Sequence, residues 1–242
     1  MSLRHAIKVG LLHRGYDLRR VPLGNPDLLG SGPFEDMRRF TSSPRPVVFD
    51  IGANVGQSVQ QFRKFFMNAE IHSFEPGEQA FQELTKNTQG MGGVHLVNSG
   101  MGARRETKTY VENEFSDMNS FLEPGEDVWG SVIRRRALQL ETVDDYCMGS
   151  GIAHIDILKI DTQGYDLEVL RGAGQMLRDR KIDLIYLEVI FSRMYRGSPR
   201  FDELYAFLAD NGMGLVSFYE KHYQNDLLSW TDALFRKKTQ DL

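Results

Sequence analysis

The amino-acid sequence predicts an α/β fold built on a mostly parallel sheet that ends in an antiparallel hairpin. From residue 47 onwards, short apolar runs alternate with segments of helical spacing, a pattern typical of a parallel sheet covered by helices on both faces. The last two apolar runs are joined by a short segment without helical spacing, so we expect them to pair as a hairpin. A chain of 242 residues, 41% of them hydrophobic, can bury such a core without disulfides.

The elements of the first half follow from residue type and spacing. Residues 1–45 are predicted to be a lead-in segment with a short helix from Arg4 to Arg14, and one domain is expected over residues 46–242. VVFDI is an apolar run typical of a strand buried on both faces. SVQQFRKFF has its apolar residues on one helical face, IHSFE and VHLVN are further strands, and EQAFQELTKN is the helix between them.

The second half begins with a departure from this alternation. Between residues 103 and 140, TKTYVE, NSFL and ALQL predict a small β-rich insertion of short strands. Alternation then returns with IDILKID (strand), DLEVLRGAGQMLRDR (helix) and IDLIYLEVI (strand). RFDELYAFLADNG is a helix that stops at Gly212, and GLVSFYE and DALFRK are the two strands of the hairpin.

Composition narrows the expected partners and compartment. The 29 basic and 33 acidic residues give a net charge of −4, so no overall field draws the chain to nucleic acid, and none is expected as a partner. No apolar run approaches the roughly 20 residues of a membrane-spanning helix, and no secretory signal is recognisable, so we expect a cytoplasmic protein without a membrane span. Cys147 is the only cysteine, which excludes an internal disulfide. A homodimer stays open.

The loop after the first strand indicates a ligand site. Ligands of open α/β sheets bind beyond the carboxyl ends of the strands. Here the first strand ends at Asp50, and its loop contains Gly52, Asn54 and Gly56. Glu75 ends the second strand, 19 positions after Gly56, where a dinucleotide-type fold places an acid on the ribose hydroxyls.

The nature of the ligand follows from what this loop lacks. A nicotinamide fingerprint reads G-x-G-x-x-G and cradles a pyrophosphate, whereas Asn54 stands here in place of the second glycine. The loop instead keeps a carboxylate at its start, which fits a cationic nucleoside without phosphate. S-adenosylmethionine has this chemistry, with Asp50 toward its methionyl end and Glu75 toward its ribose. The alternative is that the glycines serve only the turn and that Glu75 is solvated.

The chain resembles the FkbM family of S-adenosylmethionine-dependent methyltransferases in five segments, which cover most of residues 46–219. They are VVFDIGANVGQS, IHSFEPGEQAFQELTKN, DMNSFLEPG, LETVDDYCMGSGIAHIDILKIDTQGYDLEVLRGA and IDLIYLEVIFSRMYRGSPRFDELYAFLADNGMGL. The resemblance implies a class I methyltransferase (Rossmann-like) fold with a seven-stranded sheet in the order 3-2-1-4-5-7-6. It also implies methyl transfer to a hydroxyl of a small-molecule acceptor, often a sugar or polyketide. The cofactor positions that it implies, completed by neighbouring loop residues, are Asp50, Gly52, Asn54, Gly56, Ser58, Glu75, Pro76, Ser99, Gly100 and Met101.

Three side chains are candidates for the chemistry. Asp161 and Glu188 end adjacent parallel strands on the cofactor side, where they could hold a magnesium ion or act as acid and base without metal. We favour the metal-free alternative. His222 follows the sixth strand on the same side and is the histidine placed to act as a base. Their structural alternatives are a turn cap for Asp161, a loop contact for Glu188 and an exposed hairpin residue for His222.

Two other classes of function remain open. One is a nucleotide-cofactor oxidoreductase, which Asn54 argues against. The other is a methyltransferase-fold protein that binds a cofactor or a partner without turnover.

Overall fold

The computed structural model describes residues 29–239, so the predicted helix from Arg4 to Arg14 lies outside the described residues. The protein is built around a seven-stranded sheet. Its strands are β1 (Val47–Ile51), β2 (Glu70–Phe74), β3 (Val94–Val97), β7 (Ile155–Ile160), β8 (Ile182–Ile190), β9 (Met213–Gln224) and β10 (Leu227–Lys237). Their order is β3-β2-β1-β7-β8-β10-β9, in which β8/β10 and β9/β10 pair antiparallel and the other neighbours are parallel. The predicted strand order and the terminal hairpin are confirmed.

Helices cover both faces because successive residues of each buried strand point to opposite faces. Val48 and Phe49 are both fully buried, one in each of the two main core clusters. Val48 shares its face with α1 (Pro33–Phe40), α2 (Gln57–Phe65) and α3 (Glu78–Asn87). Phe49 shares its face with α4 (Val143–Ser150), α5 (Asp166–Gly172), α6 (Gly174–Arg178) and α7 (Phe201–Asp210).

The insertion is a three-stranded sheet of β4 (Gly100–Met101), β5 (Glu106–Asn113) and β6 (Val132–Glu141), in the order β4-β6-β5. The prediction of a strand at NSFL is wrong, because only a single bridge, between Val111 and Ser120, links this segment to β5. Phe121 turns away from the ladder and packs against the rings of Tyr110 and Tyr165. The segment thereby folds over the end of the main sheet.

Three further element boundaries differ from the prediction. The helix expected over residues 166–180 divides at Ala173, where Gly172 packs so closely on the carbonyl of Gly102 that a Cβ atom would overlap it. Glu188 lies inside β8 rather than at its end, because β10 continues to pair with this strand as far as Ile190. His222 lies inside β9, whose hairpin extends to a tight turn at residues 225–226.

The last part of the predicted lead-in segment packs on the sheet as α1. Met37 is fully buried, and the ring of Phe34 contacts those of Phe62 and Phe65. Asp36 accepts a hydrogen bond from the hydroxyl of Tyr219 at 2.7 Å, which ties the helix to β9. Among the helices of residues 29–239, none is long and apolar enough to cross a membrane.

Candidate functional site

A cavity opens at the carboxyl ends of β1, β2 and β7. Its floor comes from the strand-end loops, and residues 116–121 of the insertion form part of its wall. The cavity therefore lies at the end of the sheet where ligands of open α/β folds bind. Its lining residues are Ile51, Gly52, Asn54, Phe74, Glu75, Pro76, Ser99, Gly100, Met101, Tyr110, Ser116, Asp117, Asn119, Phe121, Asp161, Thr162 and Gln163.

The glycine loop between β1 and α2 is shaped first by the neighbouring strand. Gly52 has a φ of 78°, and a Cβ atom there would overlap the backbone oxygen of Asp161 at the end of β7. The N–H groups of Gly52 and Ala53 both donate to the carbonyl of Phe74 at 3.0 Å. The loop therefore needs glycine because two neighbouring strands hold it tightly, and this packing turns its surface toward the cavity.

Glu75 is the most buried of the three carboxylates that line the cavity. Its side chain is 4% exposed, and it accepts hydrogen bonds from the backbone N–H groups of Asn54 at 2.9 Å and of Gly77 at 2.7 Å. Burial raises the pKa of Glu75 to about 7, against the opposing effect of these two donors and of Lys159. Each carboxylate oxygen keeps a lone pair for a further donor, as a ribose diol would require.

Asp50 lies at the end of β1, as predicted, but its side chain points away from the cavity. It is fully buried behind the glycine loop, where it accepts a hydrogen bond from the hydroxyl of Ser58 at 2.6 Å. The ammonium of Lys159 lies 3.1 Å from its other oxygen. The predicted roles of Asp50, Ser58 and Gly56 toward the cofactor stay predictions, and none of the three lines the cavity. The reason is register, because Asp50 and Lys159 are partners across β1 and β7 and point to the same face.

Lys159 is a site residue that the sequence analysis missed. Besides Asp50, it contacts a carboxylate oxygen of Asp161 at 3.5 Å and donates to the carbonyl of Gly52 at 3.2 Å. Burial alone would lower the pKa of Lys159, but the two carboxylates more than offset it and hold the pKa above its usual value. A lysine within the otherwise apolar run ILKI was the available signal, since a buried ammonium needs charged partners.

The two predicted catalytic acids lie side by side. Asp161 lines the cavity with 40% of its side chain exposed, whereas Glu188 lies behind it and does not reach the lining. Gln163, another residue that the sequence analysis missed, donates from its amide nitrogen to Asp161 at 3.0 Å and to Glu188 at 3.2 Å. Burial, followed by the charge of Asp161, raises the pKa of Glu188 well above its usual range.

His222 is exposed on the hairpin and does not line the cavity. Its ring stacks on that of Trp230, with the centroids 4.5 Å apart. A role of His222 as base stays a prediction. So do the cofactor contacts of Pro76, Ser99, Gly100 and Met101, all of which the structure brings to the cavity wall.

The lining fits a cationic, hydrogen-bonding ligand such as S-adenosylmethionine. It contains three carboxylates, those of Glu75, Asp117 and Asp161, and no basic side chain among the described residues. The side-chain oxygens of Asn54 and Thr162 are buried without a partner within the described part of the chain. Buried polar atoms are normally hydrogen-bonded, so these two favour a ligand that carries donors.

The chain is similar in sequence to known methyltransferases. The Methyltransferase FkbM domain matches residues 50–214. The chain is 24% identical to the 2-O-methyltransferase NoeI of Sinorhizobium fredii (strain NBRC 101917 / NGR234), over 64% of this chain and 67% of that protein. It is also 24% identical to the methyltransferase sdnD of Sordaria araneosa, over 54% of this chain and 61% of that protein. Among solved structures, an rRNA methylase from Streptococcus thermophilus is 9% identical with a TM-score of 0.49, and the match covers 85% of this chain and 94% of that one.

Proposed function

The chain belongs to the FkbM methyltransferase family, whose members are S-adenosylmethionine-dependent methyltransferases, and we propose that it methylates a hydroxyl oxygen of a small molecule such as a sugar or a polyketide. The observation that carries this proposal is the carboxylate of Asp161, which is partly exposed and lines the same cavity as the buried Glu75. A hydroxyl nucleophile must lose its proton, and a carboxylate at this edge can take it. The relative NoeI is a 2-O-methyltransferase, which points to the same reaction class.

The proposed roles divide between binding and proton transfer. When bound, S-adenosylmethionine supplies a methyl group activated by the adjacent sulfonium. Glu75 holds the ribose hydroxyls, and the loop residues Gly52 and Asn54 form the floor of the site. Asp161 orients the acceptor hydroxyl and takes its proton while the oxygen–carbon bond forms and the carbon–sulfur bond breaks. Orientation alone can supply about 7–11 kcal/mol of the barrier.

The charge of the lining argues against the oxidoreductase alternative. A dinucleotide brings a pyrophosphate, and the described lining offers three carboxylates and no basic side chain to it. We also propose the division into a lead-in segment over residues 1–45 and a methyltransferase domain over residues 46–242.

The test is methyl transfer from S-adenosylmethionine with a labelled methyl group to a panel of hydroxyl-bearing glycosides and polyketides. We expect label in an ether product, and we expect Asp161→Asn to lower turnover roughly 10²–10⁴-fold while calorimetric binding of S-adenosylmethionine is kept. His222→Ala is the matched variant for the alternative base and is expected to leave turnover unchanged. Full activity of Asp161→Asn would reject Asp161 as base, and a large loss in His222→Ala would transfer that role to His222.

A further inference from the structure

The two acids at the edge of the cavity are adjacent because their strands are in register. Ile160 pairs with Leu187, so the following residues, Asp161 and Glu188, extend side by side on one face of the sheet. Like charges on neighbouring carboxylates repel each other, and the charge of Asp161 is one cause of the raised pKa of Glu188. In this protein the group between them is the side-chain amide of Gln163, which donates one hydrogen bond to each acid.

The orientation of this amide is determined by its third partner. The hydroxyl of Tyr195 donates to the amide oxygen of Gln163 at 2.8 Å. The reverse orientation would place that oxygen against the carboxylate of Asp161, so that two acceptor atoms would face each other. The nitrogen therefore faces the acids.

The backbone of Gln163 has an unusual conformation, which directs its side chain between the two acids. Its φ is 55°, in the left-handed region that side chains other than glycine seldom adopt, and the hydroxyl of Ser120 donates to its carbonyl at 2.8 Å. Strained residues of this kind persist where the surrounding structure over-determines them, and they concentrate at functional sites. Here the strained turn directs the side chain back over the strand ends, between the two acids.

A divalent ion shared by the two acids would need the space that the amide occupies. Magnesium binds oxygen ligands at about 2.0–2.1 Å, in a nearly octahedral arrangement. The other oxygen of Asp161 faces the ammonium of Lys159, a cation that would repel a metal. Among the described residues, the one cluster of three groups that could hold a metal is His154, Asp156 and Asp183. This cluster includes the start of β7, so it lies at the amino ends of the strands, away from the cavity.

We infer that Gln163 is a positioning residue that cross-links Asp161 to Glu188 and so replaces a metal ion at this acid pair. The inference rests on the proposed function, since it specifies how the acceptor hydroxyl loses its proton, namely directly to a carboxylate. It also assigns a purpose to Tyr195, whose hydroxyl orients the amide, and to Lys159, which holds the second oxygen of Asp161.

The experiment is a manganese titration of the full chain, followed by the electron paramagnetic resonance signal of free Mn²⁺. We expect the wild-type protein and the Asp161→Asn variant to show the same Mn²⁺ binding. Gln163→Glu replaces the amide donor by a third carboxylate at the same place. We expect this variant to bind Mn²⁺ about tenfold or more tightly than the double variant that also carries Asp161→Asn. The matched control is Gln175→Glu on α6, where an exposed amide donates to Asp179 alone, and we expect no comparable gain.

Two outcomes would overturn the inference. Mn²⁺ binding to the wild-type protein that is lost in Asp161→Asn would show that the acid pair is itself a metal site, and this measurement does not depend on Gln163→Glu folding. A folded Gln163→Glu protein without any gain would show that the amide is not what keeps a metal out. Calorimetry with S-adenosylmethionine on the same samples separates these results from a failure of the proposed function, which would appear as absent cofactor binding.

Discussion

The buried carboxyl of Glu75 predicts that cofactor affinity depends on pH near neutrality. Its ordinary pKa of 4.5 is raised to about 7, chiefly by burial, so the unliganded protein carries a neutral Glu75 in mildly acidic solution. A diol donates well to a carboxylate and poorly to a protonated acid that has a hydrogen of its own to place. S-adenosylmethionine should therefore bind more weakly as the pH falls through 7. One pH unit corresponds to a factor of ten, so at pH 5.5 we expect affinity about 30-fold below its plateau.

The sign of the effect on stability is the opposite. Because the pKa of Glu75 is raised on folding, its contribution to stability is fully present below pH 4.5 and is lost as the pH rises through 7. The difference corresponds to about 3 kcal/mol at ~1.36 kcal/mol per pH unit. The unliganded protein is thus predicted to lose stability over the range in which it gains affinity for the cofactor.

The assay is calorimetric titration with S-adenosylmethionine from pH 5.5 to 8.5, with urea unfolding of the unliganded protein over the same range. Glu75→Gln is the control, because it removes the titrating group while keeping the size of the side chain. Asp166 and Asp232 also have raised pKa values, of about 7 and about 6, and the variant isolates Glu75 from both. An affinity that does not change with pH in the wild-type protein, or one that changes equally in Glu75→Gln, would refute the reasoning.

Three further substitutions test the remaining contacts. Glu75→Ala should weaken S-adenosylmethionine binding by about 1.5–3 kcal/mol, the range for hydrogen bonds to charged groups, and unchanged affinity in a folded variant would remove Glu75 from the site. Gly52→Ala should lower the melting temperature, because the new Cβ overlaps the carbonyl of Asp161, and the cost should be about 2 kcal/mol or more; a normal melt would contradict the packing. Lys159→Met should cost about 3–5 kcal/mol in urea unfolding, since it leaves the charge of Asp50 buried alone. A loss below 1 kcal/mol would contradict a stabilising contact between Lys159 and Asp50.

The sequence by itself determined the layout of the protein. Alternation of apolar runs with helical spacing predicted the parallel sheet, and the short final connection predicted the β9–β10 hairpin. The rule that ligands bind at strand ends placed Gly52, Asn54 and Glu75 at one cavity, where the structure also has them. These features could be predicted because each depends on local pattern and on the direction of neighbouring strands.

The tertiary structure decided which polar groups meet. Asp50 and Lys159 are 109 positions apart in the chain, and only the register of β1 against β7 places the ammonium beside that carboxylate. The same holds for Gln163, whose left-handed turn brings its amide between Asp161 and Glu188. A one-residue change of register would turn the side chain of Asp50 or of Asp161 to the other face of the sheet. Sequence pattern shows that a buried charge needs a partner, but the partner is selected by which side chains the paired strands bring within hydrogen-bonding distance.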